Sequence, residues 1–378
     1  MNRPVAGRCW VEVSRRALQQ NFHAVRGATG GGIEVAAVVK ADAYGHGAIP
    51  IARWLEEAGA RWFAVSSVDE GVTLREAGIQ ARILVMAGVL PYEEEALAPY
   101  RLTPALHSLE DLARMERLAA AAGRPLDFHL KLDTGMTRLG LPANEGKLLD
   151  TLAGLRAARL EGLMSHFASS ADYASLQTDH QVEVFQKVAG ELERAGLLPP
   201  LRHLASSNAL AYGRREAWHT MVRPGHVLYG YISPARGDAP PAILAVRPVL
   251  QWRARILLTK DVPEGALIGY GGTFRAPRPM RIAVVAAGYA DGVPHRLSNK
   301  GRVLAGGKPA PIVGTVSMDL TTIDISRSPE LQAGDAVTLL GEEGGARLDA
   351  QQIARQAGTI SYNILCGIRE RVRRVYVD

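Results

Sequence analysis

The sequence has only two cysteines, Cys9 and Cys366, at opposite ends of its 378 residues. They offer neither a disulfide framework nor the ligand spacing of a zinc site, so we expect a reducing compartment and no metal centre. No uninterrupted apolar run approaches the roughly 18 residues of a membrane helix, and Met1 to Arg8 lack the apolar segment of a secretion signal. The sequence therefore predicts a cytoplasmic protein that does not enter a membrane.

Aromatic residues are also scarce, at 6%, and the net charge of +6 is spread along the chain. The one close group of basic residues, from Arg369 to Arg374, is not accompanied by a known nucleic-acid-binding motif. We interpret it as the solvated face of a strand and expect no nucleic-acid partner.

The first part of the chain alternates short apolar runs with amphipathic stretches, which is typical of strands and helices in turn. The apolar runs are 35–39, 62–65, 83–86, 101–105, 128–132, 160–164, 201–205 and 218–222. Repeated strand and helix units indicate a parallel sheet with helices outside it, and eight runs favour a closed (β/α)8 barrel of the TIM type. An open, doubly wound sheet is the alternative.

Beyond a segment rich in proline and glycine, residues 233–241, strands follow one another without long helices between them. The runs are 249–259, 281–287, 310–318, 336–340 and 371–377, with one helix expected at 349–357. They predict a mostly antiparallel β domain. We expect a barrel domain over 8–238 and a β domain over 239–378, which the N-terminal strand within 1–13 can join.

Polar side chains follow the predicted barrel strands, where the active sites of such barrels gather. These residues are Lys40, Arg138, His166, Ser206, Ser207 and Arg223. A lysine at a strand end either points into water or, when desolvated, forms an imine with an aldehyde. Convergence of several polar groups on one rim favours the second interpretation.

The segment Ala37 to Gly47 resembles the cofactor-attachment signature of the alanine racemase family, with little departure. Five further stretches resemble that family in the same order: 131–140, 165–167, 221–225, 288–292 and 317–319. The resemblance covers essentially the whole chain. It implies a pyridoxal 5'-phosphate enzyme that interconverts L-alanine and D-alanine and supplies the D isomer for peptidoglycan.

The resemblance also implies roles for individual residues. Lys40 would hold the cofactor covalently and act as one acid/base group, while Tyr289 of the partner subunit in a homodimer would be the other. Inverting a stereocentre needs a proton removed on one face and returned on the opposite face, so two such groups are the minimum. Arg223 would face the pyridine nitrogen and, as an obligate donor, leave that nitrogen largely unprotonated.

The remaining implied contacts divide between cofactor and substrate. Tyr44, Ser207, Tyr362 and the backbone amides of Gly225 and His226 resemble the phosphate-binding set. Arg138 and the amide of Met318 resemble the contacts to the substrate carboxylate. His166 resembles a partner of Arg223 or of the ring, and Lys131 matches a lysine that is carbamylated in many members.

Two positions depart from the family pattern. Ser206-Ser207-Asn208 stands where an Asn-Ser pair is frequent, which leaves the phosphate contact open between the two serines. His226 replaces an aliphatic residue, so its amide rather than its side chain would matter.

Three alternative functions fit the sequence less well than the racemase does. A broad-specificity racemase is usually exported, which the missing secretion signal disfavours. A decarboxylase needs no tyrosine on a second face, and a non-catalytic cofactor-binding barrel lacks the C-terminal domain.

Overall fold

The computed structural model describes residues 7–378. The expectations of an N-terminal strand within 1–13 and of no secretion signal over Met1 to Arg8 both rest partly on residues 1–6, which lie outside the described residues. The chain divides into two compact units. The barrel unit comprises Ala17–Ala43 and Ala48–Arg247, and the sheet unit comprises residues 7–16, Tyr44–Gly47 and Pro248–Asp378.

Twenty strands are present within residues 7–378. They are β1 (Cys9–Ser14), β2 (Glu34–Val38), β3 (Trp62–Val65), β4 (Arg82–Val85), β5 (Leu102–Leu106), β6 (Leu126–Asp133), β7 (Leu141–Pro142), β8 (Ala158–Met164), β9 (Leu201–His203), β10 (Met221–Val222), β11 (Leu250–Val262), β12 (Leu267–Ile268), β13 (Phe274–Arg275), β14 (Met280–Val285), β15 (Arg302–Ala305), β16 (Lys308–Pro311), β17 (Thr321–Asp324), β18 (Ala336–Glu343), β19 (Ala346–Leu348) and β20 (Arg373–Val377).

Ten α-helices accompany these strands in the same described range. They are α1 (Arg15–Thr29), α2 (Lys40–Gly45), α3 (Ala48–Glu57), α4 (Val68–Glu76), α5 (Leu109–Ala122), α6 (Leu148–Gly154), α7 (Gln177–Arg194), α8 (Ser207–Ala211), α9 (Ala350–Ala357) and α10 (Ser361–Cys366).

The barrel unit contains a parallel sheet in the order β10-β2-β3-β4-β5-β6-β8-β9, with β7 beside β6. The two ends of this order meet where Ser206 and Arg223 form a parallel bridge, and the Arg223 amide donates to the Ala205 carbonyl over 3.0 Å. The sheet is thus a nearly closed barrel, which confirms the predicted (β/α)8 fold and excludes the open sheet.

Apolar runs form these strands because both of their faces are covered, as parallel sheets require. Phe63, Ile83 and Phe128 are completely buried. The helices between the strands are amphipathic and bury one stripe each, such as Leu112, Met115 and Ala119 on α5.

Two predicted barrel runs begin before the observed strands do. The run 101–105 begins one residue later, because Arg101 adopts a left-handed φ of 50° that ends the preceding turn. The run 218–222 shortens to Met221–Val222, because His219 turns the chain at a φ of 49°. A strand cannot contain such a residue.

The sheet unit contains a sheet ordered β16-β15-β18-β11-β1-β20, in which β14 lies beside β11 and β17 beside β14. All of its pairs are antiparallel except β1 with β20. This confirms a mostly antiparallel C-terminal sheet. The predicted run 310–318 was wrong beyond Pro311, because Gly314 at a φ of 83° turns the backbone tightly against Ile268.

Among the described residues, no helix combines the length and the apolar character that crossing a membrane requires.

Candidate active site

Lys40 lies directly beyond β2, at the start of a helical turn with an unusual hand. The four residues that follow it, Ala41 to Tyr44, have φ values between 52° and 56°, and Gly45 continues at 80°. A left-handed turn costs an L-residue roughly 1–2 kcal/mol. Strain of this kind concentrates at functional sites, where the surrounding structure holds it in place.

Glu70 on α4 holds the beginning of this turn. One carboxylate oxygen accepts from the Ala41 amide and the other from the Ser66 amide, each over 2.6 Å. Asp42 accepts from the Ala48 amide, also over 2.6 Å. Sequence reasoning missed Glu70 because a glutamate in the first turn of a helix is ordinary by itself.

Arg223, directly beyond β10, is 2% exposed. Its Nη1 donates to the carbonyl and to Nδ1 of His203, over 2.9 and 2.6 Å. Its Nη2 donates to the Ser165 carbonyl over 2.6 Å and lies 3.4 Å from Nδ1 of His166. Burial lowers the pKa of the guanidinium to about 10, so the group is still a cation at neutral pH.

His166 is therefore an observed neighbour of Arg223. Burial, and then the charge of Arg223, lower the pKa of His166 to about 3. The imidazole is neutral at physiological pH, and its Nδ1 accepts from the arginine.

The barrel unit gathers several cations around His166. The groups that lower its pKa electrostatically are Arg223, Lys131, Arg138 and Lys40. Burial, followed by Arg223 and Arg138, lowers the pKa of Lys131 on β6 to about 8, although Asp133 opposes this effect. Lys40 is itself one of these cations, and an excess of positive charge of this kind favours an anionic ligand.

Arg138 lies on an exposed loop that leaves and rejoins β6. Asp133 Oδ1 accepts the amides of Gly135, Met136 and Thr137, each over 3.0 Å, and fixes the start of the loop. Gly140 closes it at a φ of 130°, where a Cβ would lie 2.6 Å from the β6 backbone. The loop is thus tightly held at both ends, with Arg138 between them.

Ser207 begins α8, and its hydroxyl is buried beside the segment that follows Arg223. Its Oγ accepts from the Gly225 amide over 2.9 Å and from the Val227 amide over 3.4 Å. The structure therefore brings Ser207, Gly225 and His226 together. Ser206 instead takes part in the bridge to Arg223.

The sheet unit holds the other predicted residues in two groups. Tyr44 and Tyr362 form one, with ring centroids 6.0 Å apart. Burial raises the pKa of the Tyr44 hydroxyl above its ordinary value. The Tyr44 ring therefore presents a neutral phenol.

Tyr289 and Met318 form the second group. The Tyr289 amide donates to the Ser317 carbonyl over 3.0 Å and the Ala290 amide to the Met318 carbonyl over 2.9 Å. Gly288 permits this approach, because a Cβ there would lie 2.3 Å from both carbonyl oxygens.

The Arg371 side chain also connects these two segments through hydrogen bonds. It donates two bonds to Asp291, over 2.7 and 2.9 Å, and one to Asp319 over 2.7 Å. The side chains of Tyr289 and Met318 remain 42% and 54% exposed.

His107, directly beyond β5, is a further polar residue at a strand end that sequence reasoning missed. Both of its ring nitrogens are buried without a hydrogen-bond partner. Burial, and then the charge of Lys131, lower its pKa to about 4. The strand-end rule that selected Lys40 would have found His107 as well.

Models of one protein family match nearly the whole chain. A model described as the N-terminal domain of alanine racemase matches residues 13–234, and one described as its C-terminal domain matches residues 249–376. An alanine racemase of Halothermothrix orenii is 40% identical, with 100% of this chain and 98% of the relative covered.

Solved structures agree with this assignment. An alanine racemase from a D-cycloserine-producing Streptomyces lavendulae is 32% identical with a TM-score of 0.91, covering 100% of this chain and 98% of that one. An alanine racemase of Bartonella henselae, described with covalently bound pyridoxal phosphate, is 29% identical with a TM-score of 0.87, covering 98% and 100%.

Proposed function

The chain belongs to the alanine racemase family, its activity is the interconversion of L-alanine and D-alanine, and we propose that Lys40 and Tyr289 carry out this reaction with pyridoxal 5'-phosphate. The observation that supports the proposal best is the buried Arg223 beside His166, on which Lys131, Arg138 and Lys40 also act electrostatically. The Bartonella henselae relative is described with the same cofactor bound covalently.

When bound, pyridoxal phosphate supplies an aldehyde for covalent attachment and an electron sink for the bond broken at the substrate α-carbon. Lys40 Nζ is the attachment point and moves a proton on one face of that carbon. Tyr289 Oη of the partner subunit moves a proton on the other face. Two groups on opposite faces are needed because one group returns the proton to the side from which it came.

Arg223 controls the pyridine nitrogen in this proposal. A guanidinium has no lone pair to accept a proton, so the nitrogen facing it stays largely unprotonated. The carbonyl oxygens of Ser165 and His203 hold Arg223 in place.

The phosphate and the substrate carboxylate are anions and take separate donors. For the phosphate we propose Tyr44, Tyr362, Ser207 and the amides of Gly225 and His226. Ser207 is preferred to Ser206 because its hydroxyl lies at the Gly225 amide. Arg138 and the Met318 amide bind the carboxylate.

The remaining parts of the proposal concern the whole protein. Residues 8–238 would form the cofactor-binding domain and 239–378 the C-terminal domain. Two copies would share their active sites, since Tyr289 and Met318 are largely exposed on the sheet unit. The enzyme would work in the cytoplasm and supply D-alanine for peptidoglycan.

Exchange at the α-carbon tests this function directly. We expect purified protein with pyridoxal phosphate to convert L-alanine in deuterated water to racemic alanine carrying deuterium at Cα, followed by NMR and optical rotation. Lys40→Ala should abolish both signals, whereas the same substitution at the exposed Lys187 should leave them unchanged. Exchange that survives Lys40→Ala would remove Lys40 from its role.

A further inference from the structure

Arg223 is a buried cation whose hydrogen bonds, within the described residues, all go to carbonyl oxygens and imidazole nitrogens. A buried charge normally needs a compensating partner. The contacts that continue from His203 into the barrel lead to such a partner.

The contacts run through two histidines that are completely buried. His203 Nε2 lies 2.8 Å from His129 Nδ1, and the two rings meet edge to face with centroids 4.9 Å apart. His129 Nε2 then lies 3.6 Å from Oε2 of Glu161, which is 9% exposed. The chain of contacts thus joins a buried cation to a buried carboxylate.

The chemistry of the two ends determines where the protons lie. Arginine only donates, so Nδ1 of His203 must accept and its Nε2 must carry the proton. That proton is donated to Nδ1 of His129, whose own Nε2–H then faces Glu161 Oε2 at 3.6 Å, an electrostatic contact slightly longer than a hydrogen bond. Burial lowers the pKa of both histidines, which favours the neutral rings that this pattern requires.

The carboxylate end is firmly anchored. Arg82 donates to both oxygens of Glu161, with 2.7 Å between Nη2 and Oε2, and lies 4.3 Å above the ring of Trp62. Asp127 accepts from Arg82 over 3.1 Å and forms two bonds with Arg159. Glu161 therefore has one orientation.

Two backbone features place His129 in this line. The pairing of β6 with β8 shifts register between Phe128 and His129, and such a bulge redirects a side chain. Gly162 provides the space, because a Cβ there would lie 2.6 Å from Cγ and Nδ1 of His129.

We infer that Glu161, His129 and His203 form a positioning relay that fixes the orientation of Arg223. A reversed tautomer of His203 would set two donors against each other over 2.6 Å and displace the guanidinium. The inference rests on the role proposed above for Arg223 at the cofactor nitrogen. The relay residues themselves touch neither cofactor nor substrate and act through Arg223.

The test combines tautomer measurement with kinetics. Magic-angle-spinning NMR of the holoenzyme with ¹⁵N-labelled histidine should show His129 and His203 as neutral Nε2–H tautomers, with signals assigned by their loss in His129→Gln and His203→Gln. Glu161→Gln should change both signals and lower kcat roughly 10-fold, the size of coupling within one hydrogen-bond network. KM for alanine should stay nearly constant.

Glu116→Gln is the matched control. Glu116 on α5 accepts the amides of Ala157 and Ala158 near the start of β8, so this change removes a similar carboxylate outside the relay. It should leave the tautomers and kcat unchanged. Gly162→Ala is a second variant, for use if Glu161→Gln is poorly soluble. It alters no polar group but displaces the His129 ring, so it should change the tautomer signals and lower kcat as Glu161→Gln does.

The inference is overturned if either wild-type histidine is cationic or carries its proton on Nδ1. It is also overturned if Glu161→Gln leaves the tautomers unchanged or affects kcat no more than Glu116→Gln does. Failure of the proposed function would instead appear as wild-type protein without α-deuterium exchange, whatever its tautomers.

Discussion

Lys131 shows how a single buried side chain can be prepared for chemistry. Burial, and then the charges of Arg223 and Arg138, lower its pKa to about 8. An ordinary lysine, with a pKa of about 10.4, is almost entirely protonated at that pH. The neutral amine is the form that attacks carbon dioxide, releasing one proton as the carbamate forms.

We therefore predict that Lys131 is carbamylated and that the modified fraction rises with pH through about 8. Below this pH the amine is protonated and cannot react. The measurement is ¹³C NMR of protein equilibrated with ¹³C-labelled carbon dioxide at a fixed dissolved concentration, from pH 6.5 to 9. The signal should be absent in Lys131→Gln. A signal that persists in this variant, or none at pH 9, contradicts the prediction.

Residues at strand ends were predictable because one rule of barrel architecture selects them. Lys40, His166 and Arg223 were found in this way. His129 was not, since it lies inside the apolar run 128–132 and the run as a whole indicated only a buried strand. A partner 74 residues away, His203, gives the imidazole its significance, and sequence spacing does not reveal such a contact.

The α2 turn is the element on which Lys40 depends. Its left-handed residues are unfavourable by themselves, so the contacts of Glu70 must offset the strain. The two amides held by Glu70 belong to different segments, one after β2 and one after β3. Glu70 thus ties the lysine to its neighbouring strand.

Glu70→Gln should loosen this turn, because a neutral amide offers one acceptor oxygen where the carboxylate offers two. Charge-assisted hydrogen bonds contribute about 1.5–3 kcal/mol each. We expect the free energy of unfolding in urea to fall by roughly this amount and the bound cofactor to be lost more readily on dialysis.

Glu76→Gln, on the same helix, provides the comparison. Glu76 is exposed and, within residues 7–378, accepts only from the Tyr100 hydroxyl, over 3.2 Å. Its substitution should affect neither property. Equal cofactor retention in the two variants would show that Glu70 does not support the Lys40 turn.

Elements with a clear period were predicted closely, while short ones in the sheet unit were not. The run 336–340 lies within β18, and the helix at 349–357 corresponds to α9. The hairpin of β15 and β16 was overlooked, although Gly306-Gly307 between two short runs is a hairpin signal. The α10 helix, which carries Tyr362, was not predicted, because it has only six residues and no clear apolar stripe.

At the scale of the whole molecule, the two proposed acid/base groups lie in different units, with Lys40 in the barrel unit and Tyr289 in the sheet unit. The proposed reaction brings them together across two copies of the chain. Each shared active site would contain residues of two polypeptides. A defect in one chain can then be complemented by an intact residue of the other chain.

Mixing two inactive variants tests the shared site. Lys40→Ala and Tyr289→Phe should each racemise alanine poorly when pure. A heterodimer of the two would contain one site with an intact Lys40 and an intact Tyr289, while its other site lacks both. Co-expression with two different affinity tags and tandem purification isolates the heterodimer.

We expect this heterodimer to recover about half of the wild-type activity per dimer, as one of two equivalent sites in a symmetric pair is restored. Each variant carrying both tags, purified in the same way, measures the background. If Lys40 and Tyr289 instead acted within one chain, both sites of the heterodimer would lack one group and its activity would stay at that background. The activity of the mixed dimer therefore decides whether Tyr289 serves its own chain or its partner.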